Sequence, residues 1–127
     1  MNICPIKKDL QIFQTDHQIF VTVEFFNISE NIVYVQKDFP NLYITYHEQE
    51  VEYIGVLDKR KALKIEDYEK VFPRTKTVRQ HEISALYRFV PGEHEYLASI
   101  AGGYKDPISK DLYDAPRIAV TFKYKAQ

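Results

Sequence analysis

The sequence has few of the residues that crosslink a chain or direct it to a compartment. Its 127 residues include one cysteine and no tryptophan. Because Cys4 has no second cysteine to pair with, no disulfide can form within the chain, which fits a reducing compartment. The first five residues lack the apolar core that a signal peptide carries. We therefore expect a cytoplasmic protein if the sequence is as written and a secreted one if a leader was removed, so localisation stays open.

Long apolar runs and an excess of one charge are also missing. No run approaches the roughly 18 apolar residues that a membrane-spanning helix needs. Lysine and arginine total 17 against 18 aspartates and glutamates, so the formal net charge is −1. Nucleic-acid-binding proteins present a basic face, which this balance does not require. We expect neither a membrane nor a nucleic acid among the partners.

The motifs of enzymes and metal sites are missing as well. Four histidines are spread along the chain: His17, His47, His81 and His94. None has a second histidine three to five residues away, whereas structural zinc sites need clustered nitrogen and sulfur ligands. No Gly-x-Ser-x-Gly nucleophile elbow occurs, and the glycine pair 102–103 precedes a loop rather than the helix of a phosphate site. We expect no enzymatic activity, no cofactor and no metal.

The sequence is rich in aromatic residues and in alternating patterns. Ten tyrosines and eight phenylalanines favour strands. From Gln18 to Asn27 every second residue is apolar, which predicts a strand with one face toward the core. The segment 118–124 repeats the pattern, so both segments should lie in sheets.

Short strand-like segments separated by turn signals recur along the whole chain. About seven to nine of them, at roughly 8–15-residue spacing, are typical of two packed antiparallel sheets. We predict an all-β fold with one domain over residues 1–127, an immunoglobulin-like antiparallel β-sandwich. The predicted core consists of Ile19, Val21, Val23, Phe25, Ile83, Tyr96, Ala98, Ile100, Val120 and Phe122.

The most distinctive stretch of the sequence runs from Ile44 to Phe89. Strand-like runs at 44–47 and 51–54 flank three polar residues. The spacing predicts a β-hairpin whose turn lies at 48–50.

A charged cluster that includes Lys59 and Arg60 follows this hairpin. One interpretation is a solvated loop. In the other, Arg60 is partly buried and pairs with Glu66 or Asp67, because its planar guanidinium matches a carboxylate.

Three motifs in this order resemble a known family. They are Tyr53-x-Gly55-x-x-x-Lys59-Arg60, then Glu66-Asp67-Tyr68, then Ile83-Ser84-x-x-Tyr87 before Pro91-Gly92-x-x-x-Tyr96. Together they resemble the immunoglobulin-like N-terminal domain, the pro-region, of the deuterolysin (aspzincin) metallopeptidases. The resemblance covers about 21–124.

The catalytic domain of that family has no counterpart in this sequence, which contains no His-Glu-x-x-His motif. The turn after Pro91-Gly92 is also longer than the family's usual turn. The resemblance therefore implies the fold and a type of partner rather than peptidase activity. It implies an inhibitor, chaperone or docking module.

Two functions of different classes follow from the sequence. The first is a non-enzymatic protein-binding module, with a peptidase as a possible partner. The alternative is a carbohydrate-binding or surface-structural β-sandwich that uses exposed tyrosines. For a protein partner we expect contacts from the segments 102–116 and 55–64, because binding residues concentrate on loops of a rigid scaffold. The predicted contact residues are Lys59, Arg60, Tyr104, Leu112 and Tyr113, and the oligomeric state stays open.

Overall fold

The structure, a computed structural model, describes residues 3–55 and 63–127 and is all-β. The described residues form eleven strands and one 3₁₀ turn, Ile65–Asp67, but no α-helix. The strands are β1 (Ile6–Thr15), β2 (Gln18–Asn27), β3 (Val33–Gln36), β4 (Tyr43–Tyr46), β5 (Gln49–Glu50), β6 (Tyr68–Val71), β7 (Lys76–Glu82), β8 (Gly92–Ile100), β9 (Tyr104–Lys105), β10 (Leu112–Tyr113) and β11 (Ile118–Ala126). The described part of the chain has no helix long and apolar enough to cross a membrane.

The strands pair in four antiparallel sheets. A three-stranded sheet has the order β1-β2-β7, and a four-stranded sheet has the order β11-β8-β4-β5. The strands β3 and β6 form one two-stranded sheet, and β9 and β10 form another. The longest ladders join neighbours in the chain, β1 with β2, or strands separated by a short hairpin, β8 with β11.

The hydrophobic core is built from the alternating faces that the sequence predicted. In β2 the side chains of Ile19, Val21 and Val23 are fully buried, and their neighbours in the strand are not. Nine of the ten predicted core residues are buried, and these predictions are confirmed. The tenth, Val120, is partly buried and packs against the core. The buried residues of the three-stranded and four-stranded sheets belong to one cluster.

The predicted turn at 48–50 is wrong. The turn consists of His47 and Glu48, whose φ angles are 50° and 66°, and it pairs Tyr46 with Gln49. Two consecutive left-handed residues give the tight turn that matches the twist of a hairpin. Such turns normally contain Asn-Gly or Asp-Gly, so the sequence His-Glu did not mark this one.

The segment 104–116, predicted as a loop, also contains regular structure. Its strands β9 and β10 pair Tyr104 with Tyr113 and Lys105 with Leu112. Each strand has only two residues, and the segment contains two prolines. Neither strand is long enough to show an alternating pattern, so no pattern in the residues predicts the ladder.

Candidate functional site

The predicted contact residues that the structure describes lie together in one hairpin. We call residues 104–113 the projecting hairpin. It contains Tyr104, Leu112 and Tyr113, and the rings of the two tyrosines are stacked with centroids 6.2 Å apart. Lys59 and Arg60 lie outside the described residues, as does any contact between Arg60 and Glu66 or Asp67.

The turn of the projecting hairpin is fixed by Asp106. Its carboxylate accepts hydrogen bonds from the main-chain N–H groups of Ile108, at 2.8 Å, and Ser109, at 3.1 Å. Its carbonyl accepts from the N–H of Lys110 at 2.9 Å, and its own N–H donates to the carbonyl of Asp111 at 3.0 Å. An aspartate at the start of a turn typically bonds to the backbone two residues later in this way. The connection between β9 and β10 is therefore well defined.

Tyr104 attaches the projecting hairpin to β3. Its hydroxyl donates to the carbonyl of Tyr34 at 2.8 Å and accepts from the N–H of the same residue at 3.2 Å. Burial raises the pKa of Tyr104 to about 12, because removal from water disfavours the phenolate. The hydroxyl of Tyr104 is therefore used within the fold, and its ring supports Tyr113.

A lysine and a glycine secure the base of the hairpin. The ammonium of Lys8 donates to the carbonyls of Ala101, at 2.8 Å, and Gly103, at 2.7 Å, and lies over the ring of Phe25. Burial lowers the pKa of Lys8. A Cβ atom at position 102 would lie 1.8 Å from the carbonyl oxygen of Pro116, so only glycine fits there. The chain enters and leaves the hairpin along fixed paths.

The tip of the projecting hairpin exposes two large apolar side chains. Leu112 is 71% exposed and Ile108 is 61% exposed. The same hairpin also carries the exposed charged residues Lys105, Lys110 and Asp111. An apolar centre with a charged border is the usual composition of a protein-binding surface. Sequence reasoning missed Ile108, whose only sign was an isolated isoleucine in a polar segment.

Three tyrosines outside the projecting hairpin have different neighbours. Tyr43, on β4, lies 5.1 Å from the guanidinium of Arg117 and is 47% exposed. Tyr53 packs edge-on against Tyr87. Tyr46 contacts the ring of Tyr96. Among these three, Tyr43 has the largest exposed fraction on a sheet face.

The histidines of the described residues have structural neighbours. The Nε2 atom of His94 lies 2.9 Å from the carbonyl oxygen of Pro91, and its Nδ1 atom lies 2.9 Å from the hydroxyl of Tyr46. Since a carbonyl only accepts, Nε2 of His94 is the donor in the first hydrogen bond. In the tautomer that carries its hydrogen on Nε2, Nδ1 accepts the hydrogen bond from the Tyr46 hydroxyl. Within 3–55 and 63–127 no three His, Cys, Asp or Glu side chains come together as a metal site.

No protein-family model and no curated protein matches this chain. The resemblance to the aspzincin pro-region therefore depends on the three motifs alone. Several motif residues have structural roles. Tyr53 and Tyr87 form a bridge between two segments, and the hydroxyl of Tyr96 accepts from the N–H of Val90 at 3.0 Å.

Proposed function

We propose that this chain is a non-enzymatic protein-binding module that contacts its partner through the projecting hairpin. The observation that carries the proposal is the exposure of Ile108 and Leu112 at the tip of a segment that hydrogen bonds hold in one conformation. Burying both side chains against a partner removes apolar surface from water, which favours association. Neither side chain is needed for the core of the described residues.

The rigidity of the hairpin supports the same proposal. Association normally costs free energy because loops and side chains become ordered at the interface. Here Asp106, Tyr104 and Lys8 already order the segment before any partner arrives. A larger share of the energy gained by burying Leu112 is then available for affinity.

The resemblance to the aspzincin pro-region makes a peptidase the first partner class to test. In that case the chain acts as an inhibitor or as a docking domain. A peptidase whose active-site cleft accepts the hairpin tip would be inhibited, whereas one that binds elsewhere would be recruited without loss of activity.

A pull-down from the native source, followed by mass spectrometry, tests the proposal. The immobilised wild-type chain is compared with a double variant, Ile108→Asp with Leu112→Asp. The control is Leu97→Asp, which makes one Leu→Asp change of the same kind at a 42% exposed leucine of β8. We expect one or more proteins to be retained by the wild type and the control and lost by the double variant.

Retention of the same proteins by the double variant would place the contact surface elsewhere. Retention of a glycan that is lost in Tyr43→Ala and kept in the hairpin variant would favour the carbohydrate-binding alternative. Tyr43 is the residue to change because its exposed ring and the Arg117 guanidinium offer the stacking and donor groups that sugars use.

We also infer that the fold is a β-sandwich of the immunoglobulin-like type. The inference is supported by a single core to which the three-stranded and the four-stranded sheets both contribute. Two sheets that share one core lie about 10 Å apart, face to face. Nuclear Overhauser effects between methyl groups of β2 and β8 would support this arrangement, and their absence would count against it.

A further inference from the structure

One edge of the three-stranded sheet has no neighbouring strand among the described residues. The strand β7 pairs with β2 on one side only. The opposite edge of the sheet, at β1, runs close to β11. An unpaired edge presents a row of main-chain donors and acceptors that can pair with another strand.

Two hydrogen bonds show which residues of β7 face outward. The N–H of Ile83 donates to the carbonyl of Ile19 at 2.9 Å, and the N–H of Asn27 donates to the carbonyl of Thr75 at 2.9 Å. In an antiparallel ladder, hydrogen-bonded pairs alternate with pairs that are not bonded. The main-chain groups of residues 77, 79 and 81 therefore point toward β2. Those of Lys76, Val78, Gln80 and Glu82 point away from it.

We propose that β7 pairs antiparallel with β7 of a second copy of this chain, which joins two three-stranded sheets into one of six strands. The register that uses all seven residues of β7 places Lys76 opposite Glu82 of the second copy and Val78 opposite Gln80. All four are residues whose main-chain groups face outward, so each of these pairs is a hydrogen-bonded pair.

Charge complementarity selects this register and this partner. The symmetry of the pairing brings Lys76 of each copy beside Glu82 of the other, and opposite charges directly across a ladder are stabilising. Glu82 is exposed and has no ion pair among the described residues. Lys76 bonds to Glu24 at 3.1 Å, on the same sheet face, so each lysine would lie between two carboxylates.

The symmetry axis passes between the two copies of Arg79. In each chain the Arg79 side chain is only 13% exposed, and its guanidinium lies 2.9 Å from the carboxylate of Glu69. It also donates to the carbonyl of Gln36 at 3.0 Å. The charge of Arg79 is therefore neutralised within its own chain, which reduces the repulsion at the axis.

The other long edge strand does not offer a comparable pairing. In β11 the exposed positions hold Ala119, Thr121, Lys123 and Lys125. An antiparallel copy of β11 brings no acidic residue opposite either lysine. Lysines on a strand edge oppose this kind of pairing.

Sedimentation equilibrium over a wide range of protein concentration tests the proposal. We expect the wild type to associate reversibly to a dimer. Glu82→Lys should weaken association about tenfold or more, equivalent to about 1.4 kcal/mol, because Lys76 then lies opposite a lysine. The double variant Lys76→Glu with Glu82→Lys should restore it. Glu93→Lys, on β8, is the matched control and should leave association unchanged.

A second variant tests the main-chain pairing. Val78→Pro removes an N–H that faces away from β2, so the β2 ladder keeps its bonds. We expect a monomer with an unchanged circular dichroism spectrum. A wild type that is monomeric at every concentration would overturn the proposal, as would a dimer that persists in Val78→Pro. A dimer indifferent to Glu82→Lys would overturn the register.

Discussion

Single polar groups inside the core connect distant segments. The side chain of Asn27 is fully buried and donates to the carbonyls of Asn31, at 2.7 Å, and Val71, at 2.8 Å. Its side-chain oxygen accepts from the N–H and the hydroxyl of Ser29. All its hydrogen-bonding capacity is used, which offsets the cost of removing an amide from water.

Tyr87 also connects two segments that are distant in the sequence. Its hydroxyl donates to the carbonyl of Leu42 at 2.6 Å, and its ring packs against Tyr53 and Phe89. Burial raises the pKa of Tyr87 to about 12. The folded state therefore holds this proton more tightly than the unfolded state, whose tyrosines titrate near 10.

The raised pKa predicts a loss of stability in alkali. The protonated Tyr87 side chain stabilises the folded state fully below pH about 10. This stabilisation is lost as the pH rises toward about 12, where the folded residue ionises. Tyr87→Phe should make the free energy of unfolding less dependent on pH across this window, by up to about 3 kcal/mol. At neutral pH the same change should cost about 1 kcal/mol, because the Leu42 carbonyl loses its donor.

Urea unfolding at a series of pH values measures this effect. Tyr53→Phe is the control, since Tyr53 is 41% exposed in the same neighbourhood. If the free energy of unfolding depends on pH identically in the wild type and in Tyr87→Phe, the loss of stability in alkali does not come from Tyr87.

Among the structural elements, the projecting hairpin depends on close backbone packing at its base. A Cβ at position 102 would meet the carbonyl oxygen of Pro116 at 1.8 Å, and one at 103 would meet that of Tyr113 at 2.8 Å. Both obstacles are main chain, so they can be relieved only if the strand that leaves the hairpin moves.

Gly102→Ala should therefore displace the hairpin and destabilise the protein by about 1–3 kcal/mol, the usual cost of overpacking. Thermal unfolding measures the loss, and amide chemical shifts of 104–116 should change with it. Gly92→Ala is a contrasting variant, because its φ of 92° strains any other residue while an added Cβ would lie at an ordinary contact distance, 3.6 Å, from Nε2 of His94. A Gly102→Ala protein with wild-type shifts and stability would show that the base of the hairpin is loosely packed.

The longest strands were the most predictable elements. The predicted bounds of β2 match those in the structure. Its buried face was also predicted correctly, because strict alternation over ten residues indicates only a strand with one face in the core. The two-residue strands β5, β9 and β10 left no such signal. Their turns depend on positive φ angles at His47, Glu48 and Lys110, residue types that do not mark such turns.

The candidate site could be predicted only in part. The segment was identified because it is long and carries apolar residues among charges. The anchoring role of Tyr104 could not be predicted, because its partner Tyr34 lies 70 residues away and the contact exists only in the folded chain. Likewise, nothing in the sequence distinguishes Leu112 as the most exposed apolar residue of the hairpin.

At the scale of the whole molecule, the two proposed surfaces are separate in the sequence and in the sheets. The projecting hairpin follows β8, whereas β7, which pairs with a single strand among the described residues, belongs to the other large sheet. A dimer formed through β7 would carry two hairpins, and two linked binding sites raise the apparent affinity for a multivalent partner. The two proposals are tested independently, because Glu82→Lys leaves the hairpin unchanged and Leu112→Asp leaves β7 unchanged.

In the proposed binding mode, the binding energy comes from the apolar tip of the projecting hairpin. The most direct measurement is a calorimetric titration of a protein retained in the pull-down with the wild type, Leu112→Ala and Leu97→Ala. We predict that Leu112→Ala weakens binding about tenfold or more, about 1.4 kcal/mol, and that Leu97→Ala binds as the wild type does. Equal affinity of Leu112→Ala and the wild type would contradict the claim.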